Sequence, residues 1–268
     1  MKKIIFLLMA LLVAAISPPL YAATPGLIDI RFGGSNANTY VGAGVIGNAG
    51  DVWNLIPAKP VVDDLGTPTP VQLVYADGTG SSAAIFSYLT DVVVNSSMGT
   101  TGFKSTAQAE LMRNYVYTSL SDLPSSAYDT MTITGLDKNK DYNLYVLSQT
   151  EKTKGNNYGN GQYLQMTVTG TTTYNLLQTA ASDGSLDHFV AGQNYLSGVV
   201  RPDASGTLQI KYMSAIPNAD SPKDRGAVNA MQLSPTPEPA SMVLIGVGGV
   251  LMSAMKLRKK KASDSSVA

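Results

Sequence analysis

The chain has 268 residues, with 19 lysines and arginines matched by 19 aspartates and glutamates, one histidine and no cysteine. Without cysteine there are no disulfide staples and no thiol nucleophiles, and a single histidine, His188, excludes a His-rich metal cluster. Seven basic residues, with Glu238 and Asp264, belong to the two end segments; the body between them keeps 12 basic and 17 acidic residues, a net charge near −5 that argues against a nucleic-acid partner.

In chain order, the first element is residues 1–23, MKKIIFLLMALLVAAISPPLYAA. Lys2 and Lys3 precede an apolar run, Ile4–Ile16, which Pro18 and Pro19 end; Ala22 and Ala23 then offer small residues for cleavage. That is the layout of a secretory signal peptide. Thirteen residues of helix reach only about 20 Å, short of a bilayer core of about 30 Å.

Residues 24–235 read as a single all-β domain, a jelly-roll-like antiparallel β-sandwich. Short runs of alternating or β-branched residues are separated by Gly, Asn, Asp and Pro. The expected strands are Leu27–Phe32, Val71–Ala76, Asp91–Asn95, Tyr128–Thr134, Tyr142–Gln149, Tyr163–Thr169, Thr172–Leu177, Asn194–Val200, Thr207–Tyr212 and Ala227–Leu233. In Leu208-Gln209-Ile210-Lys211-Tyr212 one face is apolar and the other polar, as a half-buried strand requires. The one expected helix is Gln108–Tyr117, and the four prolines of Pro57–Pro70 mark a loop or sheet edge.

Within this body, Trp53 is the only tryptophan. With Asp51 and Asn54 it offers a sugar site, an indole to stack on a pyranose and polar groups for its hydroxyls; the competing reading is a core tryptophan with a buried N–H acceptor. Tyr158 and Tyr163, in and after the GNNYGNG loop, are a second candidate glycan contact, set against ordinary loop tyrosines. Asp63 and Asp64, the only adjacent acidic pair, point to opposite faces of any strand and so do not form a glycosidase pair. Asp183, Asp187 and Asn194, or Asn218, Asp220 and Asp224, supply oxygen ligands of the kind calcium takes, without EF-hand spacing. No other cofactor is implied. His188 lacks a Gly-x-Ser-x-Gly elbow elsewhere in the chain, and no phosphate-binding loop is present. No catalytic constellation emerges.

The last element begins TPEPASMVLIGVGGVLMSAMKLRKKK, residues 236–261. Ala240–Met255 is sixteen uncharged residues, about 24 Å of helix and a short transmembrane span that snorkelling lysines extend. Pro237 and Pro239 hold the approach extended. Lys256, Arg258, Lys259, Lys260 and Lys261 form a stop-transfer cluster, which the positive-inside rule places in the cytoplasm with the tail 262–268, leaving the body outside.

The order Pro237-Glu238-Pro239, apolar run with Gly246, Gly248 and Gly249, basic cluster resembles the PEP-CTERM sorting signal. The resemblance covers about thirty residues, with Thr236 where valine is frequent and a longer tail than usual. It implies a Gram-negative bacterium in which an exosortase, a membrane-embedded transpeptidase-like protease, recognises Pro237, Glu238 and Pro239. The protein then passes transiently through the inner membrane and is released to the cell surface or extracellular matrix, where such proteins accompany exopolysaccharide and biofilm. The body is also similar to exported domains found before such tails, in Ile28–Phe32, Gly44–Asn54, Tyr142–Tyr145 and Val228–Leu233. These resemble carbohydrate-binding jelly rolls and imply no catalytic residues. The expectation is thus a non-enzymatic exported protein that binds glycan. The alternatives are a secreted hydrolase acting on polysaccharide, or an unprocessed membrane-anchored periplasmic protein.

Overall fold

Alternation of apolar and polar residues is translated directly into sheet faces. In β7 (Asp129–Thr134), β8 (Tyr142–Leu147) and β9 (Leu164–Thr169) every second side chain is buried. The computed structural model describes residues 24–33, 39–57, 69–88, 94–95, 102–119, 128–150, 163–180, 184–214 and 225–237. The chain divides into two units, Met1–Ser234 and Pro235–Ala268, and only the start of the second is described. Tyr158, Asp63, Asp64, Asp183, Asn218, Asp220, Asp224, Glu238, Pro239 and the basic cluster from Lys256 to Lys261 lie outside the described residues, as does the signal segment.

The remaining strands are β1 (Ile28–Gly33), β2 (Asn54–Pro57), β3 (Val71–Val74), β4 (Gly80–Tyr88), β5 (Val94–Asn95), β6 (Asn114–Ser119), β10 (Thr173–Leu177), β11 (Tyr195–Val200), β12 (Leu208–Ser214), β13 (Arg225–Val228) and β14 (Ala230–Pro235). They form a five-stranded sheet in the order β11-β8-β14-β1-β2, a six-stranded sheet in the order β10-β9-β12-β7-β4-β3, and a small sheet β13-β6-β5. The two large sheets share one core. Ile28, Ile30, Phe32, Leu144, Val146, Met231 and Leu233 from the first meet Ile85, Met131, Ile133, Met166, Val168, Leu208 and Ile210 from the second. Each such side chain, fully buried, contributes about 1.5–3 kcal/mol of transfer free energy.

The antiparallel expectation needs one correction: β1 and β2 run parallel, with Ile30 opposite Asn54 and Phe32 opposite Ile56. Parallel neighbours cannot be joined by a hairpin and need a long crossover. The chain between Gly33 and Asn54 is that crossover. Its described part, residues 39–53, lies on the outer face of the five-stranded sheet and builds a second core there. Tyr40 and Trp53 pack with Phe103, Leu111, Met112, Leu147 and Ala230. As a result β1 is buried along its whole length, on both faces.

The expected helix is also shorter. α1 spans only Ala109–Met112, after a single 3-10 turn at Gly102–Ser105. Tyr115, Val116 and Tyr117 prefer a pleated surface, and they leave the helix to pair with neighbouring strands, Tyr115 opposite Val94 of β5, and Val116 and Tyr117 opposite Val228 and Ala227 of β13. Gln108 makes no side-chain cap that would extend the helix the other way. The expected strand Ala227–Leu233 is divided at Asn229, between β13 and β14. Asn229 is buried and spends its side chain on three segments: Nδ2 donates to Met112 O and Asn114 O, and Oδ1 accepts from Gln149 N.

Candidate functional site

Strand geometry assigns each side chain of the five-stranded sheet to a face. Core residues of β8 and β11 are Leu144, Val146, Leu196 and Val200. Asn143, Tyr145, Tyr195, Ser197 and Val199 therefore point outward. On β1 and β14 the outward residues are Asp29, Arg31 and Gln232, and these lie under the crossover and α1. The outer face thus has a covered half, at β14, β1, β2 and the Leu147 end of β8, and a more open half over the rest of β8 and β11.

In the covered half, polar groups are placed by hydrogen bonds to backbone. Gln232 Oε1 accepts from Val45 N (2.8 Å) and Ile46 N (3.1 Å), while its Nε2 donates to Asp29 Oδ1 (2.7 Å) and Ile46 O (3.0 Å). Asn54 Nδ2 donates to Asp29 O and Val74 O, and its Oδ1 accepts from Val74 N, so it joins β2 to both large sheets. Asp51 Oδ2 accepts from Asn48 N at 2.7 Å. The Trp53 indole donates to Gly42 O at 2.8 Å and meets the Tyr40 ring edge-on at 5.7 Å.

Asp51, Trp53 and Asn54 are therefore brought together, as neighbours along the chain, but at 2%, 6% and 9% exposure they face inward. The indole has no face open to a sugar, and the two polar side chains are committed to backbone. Tyr163 is half-buried at the start of β9, on the other large sheet. His188 and Asp187 form an exposed pair, 2.7 Å apart, and this contact holds the Asp187 carboxyl below its ordinary value. Asn194 is buried, with Oδ1 accepting from Val190 N and Nδ2 donating to Gln149 Oε1 and His188 O. Its oxygen is thus engaged by backbone, and among the described residues no group of three His, Cys, Asp or Glu could hold a metal ion. Pro237 is exposed.

The residues missed by sequence reasoning are those of β1 and the open half. Asp29 is wholly buried, and burial pushes its carboxyl up from 3.8 to about 7; the Gln232 bond opposes this and Asp51 adds to it. Burial raises Asp51 too. Asp29 thus feels the charge of Asp51, and both carboxyls are buried. In the open half, the Tyr145 and Tyr195 rings are 6.5 Å apart at 42°, and Tyr195 also meets Phe189 edge-on at 6.5 Å. Ser197, opposite Tyr145 in the register, is exposed, as is Val199 at 50%, opposite Asn143. The alternation in Tyr142–Leu147 carried a signal for Tyr145; the pairing with Tyr195 needed the β8–β11 register.

No protein-family model matches this chain, and no curated protein matches it. Among solved structures the chain is similar to the crystal structure of the ANX2 ectodomain from Arabidopsis thaliana, at 12% identity and a TM-score of 0.42, over 58% of this chain and 42% of that one. It is likewise similar to the crystal structure of the ANX1 ectodomain from Arabidopsis thaliana, at 12% identity and a TM-score of 0.37, over 63% and 54%. The chain therefore spans about half the length of these structures or less.

Because Asp29 ionises near 4 when unfolded and near 7 when folded, folding is penalised progressively as pH rises through that window. Asp29→Asn removes the penalty. Urea unfolding from pH 4 to pH 8 should show the variant gaining roughly 2–4 kcal/mol relative to wild type across that range. A difference that does not change with pH would contradict the assignment.

Proposed function

We propose that this chain is an exported surface or extracellular-matrix protein, non-enzymatic, whose jelly-roll sandwich binds glycan on the open half of its five-stranded sheet. The observation that carries the binding reading is the Tyr145–Tyr195 pair, 6.5 Å apart on a sheet face with exposed Ser197 between polar and apolar neighbours. Tyrosine rings pack against the C–H faces of sugars, and hydroxyl and amide side chains, here Ser197 and Asn143, take the hydroxyls. The backbone beneath is a paired β-ladder, so the platform is formed before a ligand arrives and little ordering cost is incurred on binding. A jelly roll is supported by chain order: β7, β8, β9, β11, β12 and β14 pass back and forth between the two large sheets.

The secreted-hydrolase alternative draws no support from the carboxylates, since coupled Asp29 and Asp51 are buried and hydrogen-bonded inside the fold. Sorting rests on the tail. Pro237-Glu238-Pro239, the apolar run Ala240–Met255 and the cations from Lys256 to Lys261 supply the three parts of a PEP-CTERM signal in order. In this reading an exosortase releases the body, and exopolysaccharide is the ligand it meets outside. Among the described residues no helix is long and apolar enough to cross a membrane, and the apolar run lies outside them.

Binding of the host's own exopolysaccharide, followed by calorimetry, should weaken about tenfold or more in Tyr145→Ala and in Tyr195→Ala, the worth of one aromatic contact. Trp53→Phe should lower Tm and leave affinity unchanged. Wild-type affinity in both tyrosine variants would reject this site. For sorting, intact mass of the protein from the native host should show culture-fraction molecules that end near Glu238. A full-length C-terminus held in the inner membrane would instead support the anchored periplasmic alternative.

A further inference from the structure

The covered half of the outer face has one corner where the hydrogen-bond accounting does not close. Arg31 is 0% exposed, and its Nε, Nη1 and Nη2 have no hydrogen-bond partner among the described residues. Its guanidinium acts electrostatically on, and is acted on by, Glu110, Arg113 and Tyr40, which places it beneath α1 and the start of β6. Arg113 joins Glu110 at 2.8 Å through Nη2, yet its buried Nε is unused. The next residue, Asn114, is 1% exposed, with neither Nδ2 nor Oδ1 partnered. Asn229 ties this corner to β1, since its side chain reaches Asn114 O and its carbonyl accepts from Phe32 N, adjacent to Arg31.

Two features of the corner point the same way. The first is hydrogen bonding: among the described residues five unused donor nitrogens, on Arg31, Arg113 and Asn114, stand against one unused acceptor there, Asn114 Oδ1. The other orphan oxygen nearby, Asp29 Oδ2, belongs to a carboxyl turned to Gln232 and Asp51. The second is charge. Two guanidiniums share Glu110, which is engaged with Arg113. Arginine does not give up its proton in proteins, so Arg31 cannot relieve its burial by becoming neutral. A buried guanidinium without acceptors costs several kcal/mol. A partner made only of acceptors, and negative, meets both needs.

We propose that the Arg31–Arg113–Asn114 corner is an internal binding site for one small oxyanion group: a carboxylate, sulfate or phosphate. Arg31 offers the planar fork that takes two such oxygens at once, and Arg113 Nε and Asn114 Nδ2 are the further donors of the corner. Water would satisfy some of these donors but leave the charge uncompensated. The group has two sources. It is a free anion, or it is one carboxylate of an acidic glycan, and in the second case the site extends the proposed glycan binding.

The full chain, in detergent micelles at constant ionic strength, is titrated with sodium sulfate, phosphate and acetate, and separately with an oligoglucuronate, while Tm is followed. Crystals are soaked in selenate. Saturable stabilisation by the simple anions, reaching about 5 °C at a hundredfold excess over the dissociation constant, together with a selenate peak at Arg31, identifies a free anion. Saturation by oligoglucuronate alone identifies a polymer carboxylate. Either effect must vanish in Arg31→Gln. If that variant does not fold, Arg113→Gln, whose side chain is 39% exposed, must weaken the apparent affinity about tenfold. Wild-type exopolysaccharide affinity in both tyrosine variants would reject the tyrosine site without touching this result. Absence of saturable stabilisation by every one of these ligands, stabilisation by the simple anions with no selenate peak at Arg31, or a full effect in Arg113→Gln overturns the proposal.

Discussion

The amide of Gln232 is the stitch on which the arrangement of the five-stranded sheet depends. It makes four hydrogen bonds, two as donor and two as acceptor, the full capacity of a carboxamide. Three of them go to Val45 and Ile46 in the crossover and one to Asp29. Because β1 and β2 are parallel, a long connection between them is unavoidable, and Gln232 decides where it lies. Once it lies over β14 and β1, Asp29 and Arg31 lose water on a face where strand alternation would have exposed them. The high Asp29 pKa, the inward Trp53 and the unsatisfied Arg31 all follow from that single placement.

Buried polar residues divide here into two groups with different consequences. Gln232, Asn54, Asn194 and Asn229 are surrounded by backbone partners and join separate segments. Groups like these contribute modestly to stability when satisfied and cost several times more when one partner is lost. They specify which loop meets which strand. Arg31 and Asn114 have lost water without gaining partners among the described residues. Natural folds rarely leave such groups empty, and where they do, the group is commonly reserved for something else.

The fold class was legible because local alternation and turn chemistry both recur along the body. Met131-Thr132-Ile133 and Leu208–Tyr212 kept their faces, and ten strand segments were expected close to where strands occur. β4 was missed because Gly80-Ser81-Ser82-Ala83-Ala84 has weak strand preference, and register between β3 and β7 supplies what propensity does not. β2 is too short and too close to Pro57 to be read alone. The helix expected at Gln108–Tyr117 is confined to Ala109–Met112 because the apolar residues after it serve β6. Ile28-Asp29-Ile30-Arg31-Phe32 lies in an expected strand, Leu27–Phe32, whose alternation alone would leave Asp29 and Arg31 on a polar face. No local signal announces that a distant glutamine, Gln232, will bring a cover onto it. The candidate sugar site failed to present itself to solvent for the same reason: Asp51, Trp53 and Asn54 lie in and beside that cover. Tyr145 and Tyr195 are fifty residues apart in sequence, and only strand pairing makes them neighbours.

The functional reading therefore rests on a division of one sheet face into a sealed half that stabilises and a more open half that we propose binds glycan. Amide hydrogen exchange of Val45 and Ile46 tests that division most directly. Both amides lie in irregular chain, and both donate to Gln232. A locked cover predicts that they exchange within about tenfold of the β1 and β14 ladder amides, opening only with the sheet itself. Exchange as fast as in an exposed loop would mean that the crossover lifts independently, that Trp53 and Asp51 reach solvent, and that the division of the face is not the one described.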